Sequence, residues 1–260
     1  MRHSQFEIGV LCVYSGEIML HPLLEVVNSV QTHARKSRVA VIFDLDSTLF
    51  CVSSRTQAIL RRLGEDPKFG ARNEALAKIL RDIEVLPTDW GIRSALERSG
   101  AKGEVALFKE VRDYWRSRFF TNHFLEHDII YPSANEYVRH LHTLGAEILY
   151  LTGRNNGSMR EGTRKMLAKW GFPFFNDSEL FMKPSDVLSD EGFKAQILQG
   201  LVKQYSHIWF FENEPVIIEQ VRNLVPQVRV VYVHSTHSGR GQAPTDLPRI
   251  GMSYREGLKI

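Results

Sequence analysis

Apolar positions along the chain change their period several times. Residues 38–43 (RVAVIF) form a short β-branched and aromatic run that ends at Asp44, which suits a buried parallel strand better than a helix. Residues 147–151 and 207–211 repeat that texture, and residues 179–182 and 227–233 give weaker versions of it. Between these runs apolar side chains recur every three or four places, as in Tyr137, Val138, Leu141 and Leu144, or Met166, Leu167 and Trp170. Ser133 with Glu136, and Ser158 with Glu161, have capping-box spacing, and Gly145 and Gly171 stand where those helices should stop. A further helix is expected over residues 190–203, and Pro215 suits the first turn of another that runs to about residue 224. Such β-α-β-α alternation predicts an α/β fold, a parallel sheet covered by helices on both faces, with its ligand site beyond the carboxyl ends of the strands.

From residue 50 to residue 128 the strand signal vanishes and helical periods take over, first in Leu76, Ile79, Leu80 and Ile83, then in Val105, Phe108, Val111 and Trp115. About 75 residues of helix are too many for a βα loop. Residues 53–128 are therefore expected to form a small inserted helical domain over the strand ends, with the α/β core in residues 38–52 and 129–260. Residues 1–37 read as an amino-terminal extension. Within it residues 6–13 could form an extra strand and residues 23–30 a short amphipathic helix, packed either on the core or on a second subunit.

Composition narrows the class of molecule. Over 260 residues, 43% hydrophobic and 24% charged positions exclude a disordered, collagen-like or disulfide-stapled chain. A balance of 33 Lys+Arg against 30 Asp+Glu leaves +3, too little to argue for a polyanion, so a nucleic-acid partner is unsupported though not excluded. Cys12 and Cys51 match neither metal-ligand nor redox spacing, which favours unpaired thiols in a reducing compartment. No apolar run approaches the ~18 residues of a membrane span, and residues 1–13 lack a secretory pattern, so a cytoplasmic protein without a membrane partner is expected.

The chemistry concentrates in Asp44-Leu45-Asp46-Ser47-Thr48, directly after the first strong strand. A carboxylate at a strand end, with another two residues on, supplies a nucleophile and a proton donor in one turn. Beside a divalent cation, Asp44 could attack phosphorus while Asp46 protonates the leaving oxygen and later activates water. The cation removes the repulsion between carboxylate and phosphate.

Asp44, Asp46 and Thr48 after an apolar strand resemble the first motif of the haloacid dehalogenase-like (HAD) superfamily of phosphohydrolases, and further matches follow in order. The resemblance implies a three-layer, Rossmann-like parallel sheet with a helical cap inserted after the first core strand. It implies a phosphatase acting through an aspartyl-phosphate on Asp44, with Leu45, Ser47 and Thr48 in the phosphoryl-binding turn. Thr152, with Gly153 and Arg154 beside it, matches the second motif and would hold phosphate oxygens; for Arg154 a salt bridge at the helix entrance is the equal alternative. For the third motif Lys194 is preferred to Lys183 as the lysine on the transferring group. The fourth motif is normally one or two aspartates, whereas this chain reads Glu212-Asn213-Glu214. Glu212 and Asn213 would complete a Mg2+ site with Asp44 and Asp46.

Asp46 favours a phosphatase or mutase over a dehalogenase or transport ATPase, and the expected substrate is a phosphorylated small molecule. The alternative is a weak or inactive phosphate-binding regulatory protein on the same scaffold. Two other groupings carry less. His234 and His237 with Arg240 read as a polar loop. Arg112, Arg116 and Arg118 accompany Tyr114, Trp115, Phe119 and Phe120 in a mixture that could stack bases, but the spacing of Val111, Trp115 and Phe119 favours a core stripe with solvated arginines.

Overall fold

The structure, a computed structural model, describes residues 11–14, 17–102, 105–185 and 187–259. An antiparallel hairpin of β1 (Leu11–Tyr14) and β2 (Glu17–Leu20) precedes helix α1 (Pro22–His33). The first core strand, β3 (Val39–Phe43), leads through β4 (Phe50–Cys51) into α2 (Ser53–Gly64), α3 (Pro67–Arg72), α4 (Glu74–Asp82), α5 (Arg93–Arg98) and α6 (Val105–Phe119). The chain returns through β5 (Ile129–Ile130), which pairs antiparallel with β4. Helices and strands then alternate as α7 (Ala134–Thr143), β6 (Glu147–Asn155), α8 (Asn156–Lys169), β7 (Leu180–Lys183), α9 (Asp190–Leu201), β8 (His207–Glu212), α10 (Pro215–Leu224) and β9 (Arg229–Val233), and a loop leads to β10 (Arg249–Ile250).

Six strands form one sheet in the order β10-β9-β8-β3-β6-β7, and every neighbouring pair is parallel. The first core strand shows why. All five residues of β3 are buried, and successive side chains point to opposite faces. Val39, Val41 and Phe43 pack in the cluster that holds α1, α7 and α8, whereas Ala40 and Ile42 pack with α9 and α10. A strand covered on both faces must be apolar throughout, hence the unbroken run seen in the sequence. Strand order reverses on either side of β3, so Asp44 at its carboxyl end stands at the switch point where ligands bind in such sheets.

Residues 22–33 belong to a layer of this core. Leu23, Val26, Val27 and Val30 of α1 are buried in the same cluster, and Trp209 Nε1 on β8 donates to Ser29 Oγ at 3.0 Å. Of the strand expected over residues 6–13, residues 6–10 lie outside the described residues and 11–13 fall in β1. Neither expected capping box forms. Ser133 adopts a left-handed conformation (φ 60°), which turns its side chain away from the first amides of α7. The helix after β6 begins three residues earlier than a cap at Ser158 suggested, because Asn155 caps it by accepting the amides of Gly157 and Ser158 at 2.8 and 3.2 Å. Among the described residues no helix is long and apolar enough to cross a membrane.

Helices α2–α6 carry an apolar cluster of their own, around Leu60, Leu63, Leu76, Leu80, Leu96 and Val111. Where α2 meets α4, a Cβ on Gly64 would stand 2.7 Å from the Arg81 amide nitrogen and 2.8 Å from the Ala77 carbonyl oxygen, backbone atoms that cannot rotate aside. Gly64→Ala is therefore expected to cost about 1–3 kcal/mol, the usual penalty of overpacking. Thermal denaturation checks this, at about 2–4 °C of Tm per kcal/mol for a chain of this size; an unchanged Tm would rule out so close a crossing.

Candidate active site

Asp44 is still part of the sheet, since its amide donates to the Phe211 carbonyl of β8 at 3.0 Å. The chain then folds back on itself. The Leu45 carbonyl accepts the amides of Thr48, Leu49 and Phe50, and Ser47 sits in the left-handed region (φ 61°) with its amide on the Phe50 carbonyl. This turn buries Leu45 and Leu49 and leaves Asp44 and Asp46 facing one cavity. Thr48 is also fully buried. Its Oγ1 donates to Asn213 Oδ1 at 3.3 Å, which ties the β3 turn to the β8 turn.

Lys194, on α9, places its ammonium between two carboxylates, 2.6 Å from Asp44 Oδ1 and 2.7 Å from Glu212 Oε2. The other carboxylate oxygen of Glu212 accepts the amides of Asn213 and Glu214 at 2.9 and 3.0 Å. Lys183 pairs instead with Asp190 at 2.5 Å, so the geometry selects Lys194 as the lysine beside Asp44. Burial, with the negative neighbours Glu212 and Asp46, outweighs Lys194 and pushes the Asp44 carboxyl up to about 7. Burial works against the Lys194 ammonium, but Asp44 and Glu212 hold it protonated well above the ordinary lysine range.

The surroundings of Asp46 are different. Its Oδ1 accepts from Arg154 Nη2 at 2.5 Å, Arg154 Nε at 3.1 Å and Arg55 Nη2 at 2.8 Å. Both arginines also hold Asp128: Arg55 through Nε (2.7 Å) and Nη2 (2.6 Å), Arg154 through Nη2 (2.8 Å). Arg55, Arg154 and Asp128 are fully buried, while the Asp46 side chain keeps 29% of its surface open. Two guanidinium groups thus face two carboxylates. Burial alone would raise the Asp46 carboxyl, but Arg154 and Arg55 overcome it and hold the group well below the usual range. Arg154 thus makes salt bridges to Asp46 and Asp128 while also lining the cavity.

Arg55 and Asp128 escaped the sequence reading. The available signal was phase: Arg55 shares the buried face of α2 with Thr56, Ile59, Leu60 and Leu63, so it is a charge standing in an apolar stripe.

Thr152 is buried, its Oγ1 accepting the Arg154 amide at 3.2 Å. At Gly153 a Cβ would come within 2.8 Å of the Asp190 carboxylate, so glycine lets that residue close over the strand end. Asn213 Nδ2 donates to the Thr236 carbonyl, and Glu214 accepts from the Ser238 amide and hydroxyl, which fixes the polar loop after β9 against the site. These elements enclose a cavity of about 530 Å3. Of the residues expected in the site, Leu45, Thr48 and the alternative lysine Lys183 are absent from its lining, and the others line it.

Oxygen donors of this kind suit a hard divalent cation. Of the four expected ligands, Asp46 has one oxygen filled by guanidinium N–H groups and Glu212 is turned onto Lys194 and two amides. Asp44 and Asp46 each keep their second carboxylate oxygen outside these contacts, and the neutral Asn213 Oδ1 accepts only the 3.3 Å bond from Thr48. Among the described residues no three Asp, Glu, His or Cys side chains converge on a single point. The donors fit magnesium in kind, at a site of low negative charge.

The sequence profile of haloacid dehalogenase-like hydrolases matches residues 39–216. Among solved structures the chain is similar to a haloacid dehalogenase-like family hydrolase of Streptococcus pneumoniae, with a TM-score of 0.51 and 15% identity over 85% of this chain and 97% of that one. It is also similar to a protein of Haemophilus somnus described as a predicted phosphoglycolate phosphatase (TM-score 0.50, 15% identity, 85% and 96% of the two chains). A third similar structure is protein tyrosine kinase A of Mycobacterium tuberculosis (TM-score 0.52, 15% identity, 82% and 94%). At such identities the likeness is one of fold. No curated protein sequence matches the chain significantly.

Proposed function

The chain belongs to the haloacid dehalogenase-like hydrolases, and on that premise we propose that it hydrolyses phosphomonoesters through an aspartyl-phosphate on Asp44. In the first step a carboxylate oxygen of Asp44 bonds to phosphorus as the bond from phosphorus to the ester oxygen breaks, releasing the alcohol once that oxygen gains a proton. In the second, water attacks the acyl phosphate, giving up a proton, and the products are inorganic phosphate and the restored carboxylate. Lys194 neutralises the transferring group and steadies Asp44, and Thr152 with the neighbouring amides holds phosphoryl oxygens. Asp46 stands as a carboxylate, the form that takes the proton of the attacking water. A phosphate dianion beside Arg154 competes with Asp46 for that guanidinium, and each contact so lost raises the affinity of Asp46 for the proton it passes to the leaving oxygen. Helices α2–α6 act as a cap over this chemistry, in keeping with their separate apolar cluster.

Magnesium would be held by Asp44, Asp46 and Asn213, and would supply the positive charge that lets a phosphate dianion approach a carboxylate. Because Asn213 adds no negative charge, Asn213→Asp is expected to tighten Mg2+ binding by about tenfold or more, ligand charge being a main determinant of affinity at hard-cation sites. Isothermal titration of the intact chain measures this directly. Equal affinity in the two proteins would remove Asn213 from the site.

The observation that carries the reading is the convergence of Asp44, Thr152 and Lys194 in one cavity, from the ends of β3 and β6 and from α9. A screen of sugar phosphates, nucleotides and aryl phosphates, with and without magnesium, tests it through phosphate release. Folded protein that releases none from any substrate favours the alternative, a phosphate-binding protein without turnover, for which Asn213 in place of a carboxylate is the motivating feature.

A further inference from the structure

The proposed chemistry uses only some of the residues that line the cavity. Besides Asp44 and Lys194, the cavity is lined by Trp90, in the segment before α5, and by Trp115 and Phe120 at the end of α6. Trp90 is 55% exposed and Phe120 46% exposed, far more than core packing would leave such rings. Phe120 also falls out of phase with the stripe of Val111, Trp115 and Phe119 that faces the helical cluster, so its position does not follow from the amphipathic pattern of the helix.

This aromatic wall is a built feature. Trp115 and Phe119 lie 4.6 Å apart between ring centroids, and Phe120 meets both edge-on at 6.2 and 5.0 Å. Trp115 Nε1 donates to Thr56 Oγ1 at 3.3 Å, which fixes the indole. Behind them the Arg55 guanidinium lies 4.3 Å from the centre of the Phe119 ring and donates to the Phe119 carbonyl. The arginine that grips Asp46 therefore also anchors the aromatic wall. At the rim Arg112 is 3.7 Å from Asp113, its only ion partner among the described residues, and so is loosely held.

Resting on the phosphatase reading, we propose that this cavity selects phosphomonoesters whose leaving group carries a flat aromatic ring, seated against Trp90, Trp115 and Phe120 while the phosphoryl group meets Asp44. Flat rings stack on exposed aromatic side chains with little regard to their substituents, and a pocket of this volume holds a ligand with both a ring and a spacer. The ring can bear the phosphate on its own short arm, as in benzyl phosphate, or ride on a sugar, as in a nucleoside monophosphate.

Two matched pairs isolate the ring from leaving-group chemistry: adenosine 5′-monophosphate against ribose 5-phosphate, and benzyl phosphate against cyclohexylmethyl phosphate. With the intact chain and Mg2+, the aromatic member of at least one pair is expected to have a kcat/KM about tenfold higher or more, the scale of one stacking contact. Preference in the first pair alone identifies the nucleoside source, and in the second alone the simple aryl source. Trp90→Ala and Phe120→Ala, both at exposed positions, should erase the preference, read as the ratio of kcat/KM within each pair. Equal kcat/KM within both pairs, or a preference that survives in both variants, overturns the proposal.

A binding measurement separates its failure from that of the phosphatase reading. Quenching of tryptophan fluorescence by adenosine 5′-monophosphate and by benzyl phosphate in Asp44→Asn, compared with Asp44→Asn/Phe120→Ala, reads the wall without turnover. Quenching lost with Phe120 supports the wall even if no ester is hydrolysed, and absence of binding by both ligands overturns it.

Discussion

Asp44→Asn is expected to lower phosphomonoester turnover by about a thousandfold or more, the scale seen when a covalent nucleophile is removed. The amide oxygen is a poor nucleophile, and it carries no charge to balance Lys194. The change is nearly isosteric, and the carbonyl oxygen can still accept from Lys194 Nζ at the 2.6 Å contact. The variant should therefore remain folded, which circular dichroism and Tm would confirm alongside the kinetics. Turnover within tenfold of the parent would exclude Asp44 as the nucleophile.

The same residue sets a pH limb. With the Asp44 carboxyl pushed up to about 7 in the free protein, the ionised fraction falls about tenfold for each pH unit below that value. In stability the sign is opposite: a carboxyl raised by folding stabilises the native state below its unfolded pKa, and that contribution is lost as pH rises through about 7.

The second large effect is structural. Asp128→Asn removes one negative charge from a buried set of two arginines and two aspartates, leaving Arg55 and Arg154 to share Asp46. An uncompensated buried charge typically costs about 3–5 kcal/mol. At about 2–4 °C per kcal/mol, Tm should fall by roughly 6–20 °C. By contrast, breaking the exposed Arg38–Glu147 pair is expected to leave Tm almost unchanged, although its 2.7 Å contact is as short. Thermal denaturation of Asp128→Asn beside Arg38→Ala makes the comparison, and equal shifts would contradict it. Acid should act on the cluster in the same direction. Asp46 is held below its ordinary range, so its contribution is complete above about pH 4 and is lost as pH falls through the lower native value.

The sheet was legible because its strands are covered on both faces and so read as unbroken apolar runs, with β3 the clearest case. The acidic pair after β3 was legible because two carboxylates two residues apart seldom follow such a run without a chemical reason. The partners of Asp46 were hidden. Arg55 and Asp128 are 73 residues apart in the chain, so although the phase of Arg55 in α2 marks it as buried, nothing in the sequence pairs it with Asp128. Strands β4 and β5, at two residues each, are too short to show any period. Two lysines could fill the role beside Asp44; the sequence favoured Lys194, and Lys194 is the one whose ammonium stands beside Asp44, while Lys183 pairs with Asp190. Phe120 was read with its neighbours as part of an amphipathic face, since periodicity does not tell a ring lining a cavity from one facing solvent.

The antiparallel pairing of Cys51 with Ile129 brings together two points of the chain between which the whole helical excursion runs. A miniaturised protein could be spliced there with a hairpin turn, retaining all six sheet strands together with Asp44, Thr152, Lys194 and Glu212. The excised piece would take Arg55 and Asp128 with it, one cation and one anion, so the remnant Asp46–Arg154 couple would stay electrically balanced.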